Sequence, residues 1–306
     1  MNNFQYIETD CKSPMNHIKT SRLPYHWDLN IYRGCEHNCE YCFAMYTHQY
    51  MDDVDFFHHI YVKTNIVEQL EKKLSSKTWK KEIINLGGVT DNYQNAEKHY
   101  KIMPEILKLM IKYKNPIIIS TKSTLILRDI ELLKQLSEVA TVNIAFTITT
   151  LDKNLAKKIE PGASPPLERL QALKKIKEET NAIIGIHMMP LIPYMTATEN
   201  NIDSLLHVAA IIQADYCIPG LLGLRGKTRS SFLQFLKQNY PTIYPKLYKL
   251  YQNKDLKQNY KKEFYSLLNT IQKKYHISFN YKKPLLEKET IFKNSLKQLS
   301  IFDKDK

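Results

Sequence analysis

Gly34-Cys35-Glu36-His37-Asn38-Cys39-Glu40-Tyr41-Cys42 puts three cysteines into one short loop directly after a β-rich run at 28–32. Thiolates this close in sequence can wrap one corner of a cuboidal iron–sulfur cluster. Gly34 frees the backbone to turn as it leaves the strand. Three protein ligands for four irons leave one iron open, and an open metal position is what chemistry requires. A closed zinc site would need a fourth ligand. Cys11 and Cys217 stand alone in the sequence, and His37 or His48 would serve only with unusual spacing. The loop therefore reads as a catalytic [4Fe–4S] site held by Cys35, Cys39 and Cys42.

Outward from this loop, short apolar runs alternate with amphipathic stretches from 28 to 226. Strands are expected at 28–32, 82–86, 116–120, 142–149, 182–188 and 215–218, and helices at 65–74, 96–113, 130–137, 167–180 and 201–212. Alternation of this kind implies a parallel α/β sheet with crossover helices, and ligands then sit at the C-terminal ends of the strands. The cysteine loop, 87–93, 121–123 and 190–196 all follow strands, so they are expected on one face. Beyond 226 no strand is evident. Segments 230–239, 241–252 and 256–275 read as helices, which makes 227–281 a helical C-terminal appendage. Residues 1–27 form an N-terminal extension, and 282–306 read as a charged, flexible tail.

The chain of 306 residues is 43% hydrophobic, enough for a sizeable core. Its start is polar and no apolar run reaches bilayer length, so a soluble cytoplasmic protein with no membrane partner is expected. In that reducing compartment five cysteines suit ligands or free thiols better than disulfides. The net charge of +13 suits either a polyanionic partner such as nucleic acid or a solvated, Lys-rich surface.

The spacing C-x3-C-x2-C with an aromatic before the last Cys resembles the signature of radical S-adenosylmethionine (SAM) enzymes. The longer string from Asn30 to Ala44 is similar to the branch related to spore photoproduct lyase. The resemblance continues through Gly87 to Gln94, Ser120 to Ser123, Arg128-Asp129, Glu160-Pro161, Arg169-Leu170 and Pro190 to Pro193. It implies a partial (β/α)6 barrel, a [4Fe–4S] cluster, SAM and a reductant protein. It also implies the chemistry: the open iron chelates SAM, and one electron yields a 5′-deoxyadenosyl radical that abstracts hydrogen.

By the same resemblance, Gly87 and Gly88 lie against the methionine ammonium, with the Thr90 hydroxyl and Asp91 carboxylate nearby. Lys122 meets the SAM carboxylate, Thr147 or Thr149 the ribose, and Tyr41 the adenine. Glu160 and Arg169 pair to position SAM or a neighbouring loop. Two positions depart from the lyase pattern. A hydrogen-returning cysteine there matches Gly88 here, and a tyrosine after the last cluster Cys matches Phe43. The radical-generating half of the mechanism is matched and the hydrogen-return half is not.

Three function classes follow: a radical SAM enzyme acting on DNA or RNA in repair or modification, one acting on a peptide or small molecule, and a non-catalytic metal protein that binds nucleic acid. Gln298-Leu299-Ser300-Ile301-Phe302 resembles the short peptide by which bacterial repair proteins dock on the DNA sliding clamp, which favours the first.

Overall fold

The computed structural model describes residues 4–20, 22–51, 53 and 55–302. Their strands are β1 (Gln5–Thr9), β2 (Met15–His17), β3 (Trp27–Leu29), β4 (Tyr32–Arg33), β5 (His59–Lys63), β6 (Ile84–Leu86), β7 (Ile117–Thr121), β8 (Val142–Thr147), β9 (Ile183–Leu191) and β10 (Tyr216–Leu221). Seven of them form one sheet in the order β10-β9-β8-β7-β6-β3-β2. Neighbours from β3 to β10 run parallel, and β2 adds an antiparallel edge. Six parallel strands in sequential order, joined by helices, form the partial (β/α)6 architecture.

The strands are apolar on both faces because both are covered. Outward, Ile84, Leu86, Ile117, Ile119, Ile144 and Phe146 pack on helices whose apolar residues recur every three or four positions. In the helix Ile102–Tyr113 these are Ile102, Met103, Ile106, Leu107, Leu109 and Met110. Inward, Ile83, Ile118, Ala145, Ile183 and Tyr216 close the N-terminal end of the lumen together with Leu285.

Several elements differ from expectation. The single strand expected over 28–32 is two, β3 in the seven-stranded sheet and β4 in a separate one. The single helix expected over 96–113 is two, Ala96–Tyr100 and Ile102–Tyr113, broken where Lys101 takes φ +49°. The buried Glu97 carboxylate causes the break, because it accepts from the Ile102 and Met103 amides (3.2 and 3.0 Å) and so caps the second helix. The N-terminal extension contributes β1 to a second, three-stranded sheet in the order β1-β5-β4, which lies beside the cysteine loop. The helix Lys153–Ile159 was also unforeseen.

Finally, the expected flexible tail is helical over Lys282–Phe302. Leu285 drives this by burying completely in the floor of the lumen, and Pro284 is tolerated because it falls in the first turn. The sliding-clamp string at 298–302 lies on the last turns of this helix, and its side chains fall outside the described residues. No helix among the described residues is long and apolar enough to cross a membrane.

Candidate functional site

The cysteine loop leaves β4 through Gly34, whose φ of +86° and close approach exclude a side chain; a Cβ there would lie 2.4 Å from the His59 carbonyl oxygen. From that point the loop is tied down residue by residue. The Gly34 carbonyl accepts from Thr90 Oγ1 (2.6 Å) and Gln94 Nε2 (3.3 Å). The Glu36 amide donates to Gln94 Oε1 (2.8 Å), and the Glu36 carboxylate accepts from Tyr6 Oη (2.8 Å) and the Ala96 amide (2.6 Å). His37 sets Nε2 2.8 Å from Asp91 Oδ2 and Nδ1 3.1 Å from the Gly162 carbonyl. The Glu40 amide closes the loop on Ile159 O at 3.0 Å.

The three thiols enclosed by this frame are buried or nearly so. Burial pushes the Cys35 thiol up to about 12, with Asp91 and Cys42 adding to the effect. Burial likewise raises Cys39 and Cys42, opposed in each by Lys122. A metal bound here has to displace protons, as thiolate ligation requires. The thiols sense one another electrostatically. Three thiols in one loop suit a cluster that takes one thiolate per iron better than a closed four-ligand single-ion site. Cys11 and Cys217 lie apart: Cys11 packs beside the core with its amide on Asn65, and Cys217 is buried within the core.

Lys122 follows β7, with Nζ 5.8 Å from the centre of the Tyr41 ring. Burial works against its charge, but Cys39 and Glu160 outweigh it and hold the ammonium above its usual pKa. Among the described residues its Nζ makes no hydrogen bond or ion pair. It is therefore a fixed cation with donors to offer, beside the thiols.

The other expected SAM contacts divide into three groups. Gly87 and Gly88 form the turn after β6, next to the loop. Tyr41, Glu160, Arg169 and Thr147 form one buried node: the Tyr41 hydroxyl donates to Glu160, Arg169 Nη2 meets Glu160 at 2.5 Å, Nη1 donates to Thr147 O at 2.7 Å, and Nε donates to Ser164 O at 2.6 Å. Arg169 thus anchors Glu160, and Glu160 anchors the Tyr41 ring. The side chains of Thr90 and Asp91, by contrast, are committed to the frame. Asp91 also accepts from Thr121 Oγ1 (2.9 Å) and from the Lys122 and Tyr93 amides (2.7 and 2.9 Å). Burial opposes its charge, but His37 and these bonds hold the Asp91 carboxyl at about 2.

Sequence reasoning missed three features. His37 and Gln94 are struts of the loop. His187, on β9, faces the lumen, and burial followed by Lys122 lowers it to about 4, so it is neutral at physiological pH. The third is a polar layer across the lumen. Asp28 accepts from Asn30 and Asn85 (both 2.7 Å), and Tyr216 Oη donates to Asn143 Oδ1 (2.7 Å). Amides inside otherwise apolar strands were its only sequence signal.

A family model described as the Radical SAM superfamily matches residues 29–205. An uncharacterized protein of Mycobacterium tuberculosis is 34% identical over 253 residues, 81% of this chain and 74% of its own. An uncharacterized protein of Methanocaldococcus jannaschii is 29% identical over 88% of this chain and 94% of its own. Among solved structures, a spore photoproduct lyase mutant with bound AdoMet and dinucleoside spore photoproduct is similar in fold, with a TM-score of 0.58 at 15% identity. The similarity covers 78% of this chain and 66% of the lyase chain, just under two thirds. The radical S-adenosylmethionine methyltransferase TsrM from Kitasatospora setae, solved with cobalamin and a [4Fe-4S] cluster, is similar at a TM-score of 0.50 and 12% identity, over 69% of this chain and 36% of its own.

Proposed function

Because the chain belongs to the radical SAM superfamily, whose members use a [4Fe–4S] cluster and SAM, we propose that it starts hydrogen abstraction on a nucleic acid, with Cys35, Cys39 and Cys42 holding the cluster. The observation that carries this reading is the buried three-thiol loop beside the unpaired cation of Lys122. When bound, the cluster supplies one electron to the sulfonium of SAM and so initiates hydrogen abstraction from the substrate.

The chain's own residues do the rest. Lys122 presents a charge-assisted donor to the SAM carboxylate. The Gly87-Gly88 turn lets backbone approach the amino-acid end. Tyr41, braced by Glu160 and Arg169, keeps one ring face fixed, and Thr147 lies within the same node. The neutral His187 lines the lumen without adding a competing charge. Burial of the loop keeps water from the thiols.

A nucleic-acid substrate is supported by the net charge of +13 and by the likeness to a lyase solved with a dinucleoside photoproduct. Reversal of that photoproduct through a thiol at position 88 is not part of the proposal, because Asp28 fills the space a side chain at Gly88 would need.

The test is anaerobic SAM cleavage by the reconstituted protein, read as 5′-deoxyadenosine with and without deuterated oligonucleotide. Oligonucleotide-stimulated cleavage with deuterium transfer is expected, and Cys39→Ala should lose both the visible absorbance and the cleavage. Stimulation by peptides and not by DNA or RNA would overturn the substrate class. Full cluster retention in Cys39→Ala would overturn the ligand assignment.

A further inference from the structure

The chain carries 31 Asp and Glu, yet none falls between 216 and 254, a stretch that holds seven Lys and Arg. Elsewhere surface lysines are interleaved with carboxylates, as in Lys72–Glu68 and Lys175–Glu179. In this segment no Lys or Arg forms an ion pair among the described residues. A solvated helix face does not need to exclude carboxylates; a surface that meets a polyanion does.

The fold packs part of this segment against the cysteine loop. The helix Gly226–Asn239 lays Phe232, Phe235 and Leu236 on Cys39 and Tyr41. Its first turn is fastened to the cysteine loop by Thr228 Oγ1, which donates to Cys42 O at 2.8 Å. The same turn carries Arg225, Lys227 and Arg229, and the residue after Cys42 is Phe43, 62% exposed. Tyr248, on the next helix Tyr244–Gln252, is also exposed. A large aromatic left in water beside unpaired cations is the combination that binds single strands: cations track the backbone and rings stack unpaired bases.

We propose that the first turn of the helix Gly226–Asn239 together with Phe43 is the docking surface for a single-stranded segment of nucleic acid, with Arg225, Lys227 and Arg229 on phosphates and Phe43 under a base. This deepens, and rests on, the nucleic-acid reading above. Phe43 follows Cys42 directly in the chain, so a base stacked on it lies next to the thiol loop.

The test uses the full-length, anaerobically reconstituted protein and a fluorescent oligothymidine, with anisotropy read across a salt series. Each neutralised phosphate of a single strand contributes about 0.7 to the slope of log affinity against log salt. The triple variant Arg225→Gln/Lys227→Gln/Arg229→Gln should therefore flatten that slope by roughly 2. Phe43→Ala should weaken binding about ten-fold with little change in slope. A control triple, Lys77→Gln/Lys80→Gln/Lys81→Gln, removes the same charge from the exposed stretch before β6 and should bind as wild type. Unchanged cluster absorbance shows that each variant is folded.

If wild type fails to bind at low salt, the nucleic-acid reading falls and this surface with it. If wild type binds and the Arg225 triple binds equally, or the control triple loses as much, the surface is overturned while the substrate class stands. Unchanged affinity in Phe43→Ala, or tighter binding of the matching duplex, overturns the single-strand assignment.

Discussion

A methyl group at Gly88 fits only if Asp28 moves. Its Cβ would sit 2.3 and 2.4 Å from the two carboxylate oxygens of Asp28, well inside contact distance. Asp28 is buried, with one oxygen taken by Asn30 and the other by Asn85, both at 2.7 Å. Burial raises its pKa above the ordinary aspartate range, and these two bonds and the Gly88 amide oppose that rise. Making room means swinging the carboxylate away from both amides. Two such bonds at about 1–3 kcal/mol each put the cost of Gly88→Ala at about 2–6 kcal/mol, a large share of the about 5–15 kcal/mol that holds a domain together. Gly88→Cys meets the same obstruction. The assay is equilibrium urea unfolding of wild type, Gly88→Ala, Asp28→Ala and the double variant. Removing the carboxylate removes the clash, so the double variant should cost less than the sum of the singles, with a coupling of about 2 kcal/mol or more. A Gly88→Ala cost below about 0.5 kcal/mol, or strictly additive singles, would refute the steric reasoning.

Lys122→Ala should weaken SAM binding about ten- to a hundred-fold by calorimetry, with cluster absorbance intact; an unchanged affinity would assign Lys122 to shaping the lumen alone. His187, lowered to about 4, resists protonation in the fold and accepts it near 6.5 when unfolded. Its contribution is therefore fully present above about 6.5 and lost as pH falls toward 4, by at most about 3 kcal/mol. His187→Gln should remove that part of the difference between denaturant midpoints at pH 7 and pH 4.5, and an identical difference in both proteins would contradict the buried-imidazole account. Leu285→Ala should cost about 2–5 kcal/mol in thermal or urea unfolding, whereas a truly loose tail would leave stability untouched.

The barrel was legible because its signal is repeated and local. Most parallel-strand positions are apolar on both faces, as in Ile117-Ile118-Ile119, and the longer crossover helices carry a three-to-four periodicity. The thiols were legible because eight consecutive positions hold all three. What escaped are roles defined by distant partners. Asp91 after a Gly-Gly turn looked like a cofactor contact; its actual neighbours are His37, 54 positions earlier, and Thr121, 30 positions later. Glu97 falls in the first turn of the helix expected over 96–113, and only Tyr32, Arg128 and the amides it caps reveal it as a break point. Leu285 stands among lysines and glutamates, and no local pattern reports that the lumen floor lacks one side chain until Ile83, Ile118 and Ile183 are assembled around it.

That floor also sets a schedule for biosynthesis. Tyr25 and Leu285, 260 positions apart, pack into the same small cluster, so the base of the barrel stays open until the segment carrying Leu285 has been made. A nascent or prematurely terminated chain holds Ile83, Ile118 and Ile183 uncovered in a parallel sheet, the kind of long-range assembly that folds slowly and is exposed to aggregation meanwhile. A chain that stops short of Leu285 leaves that apolar base partly uncovered.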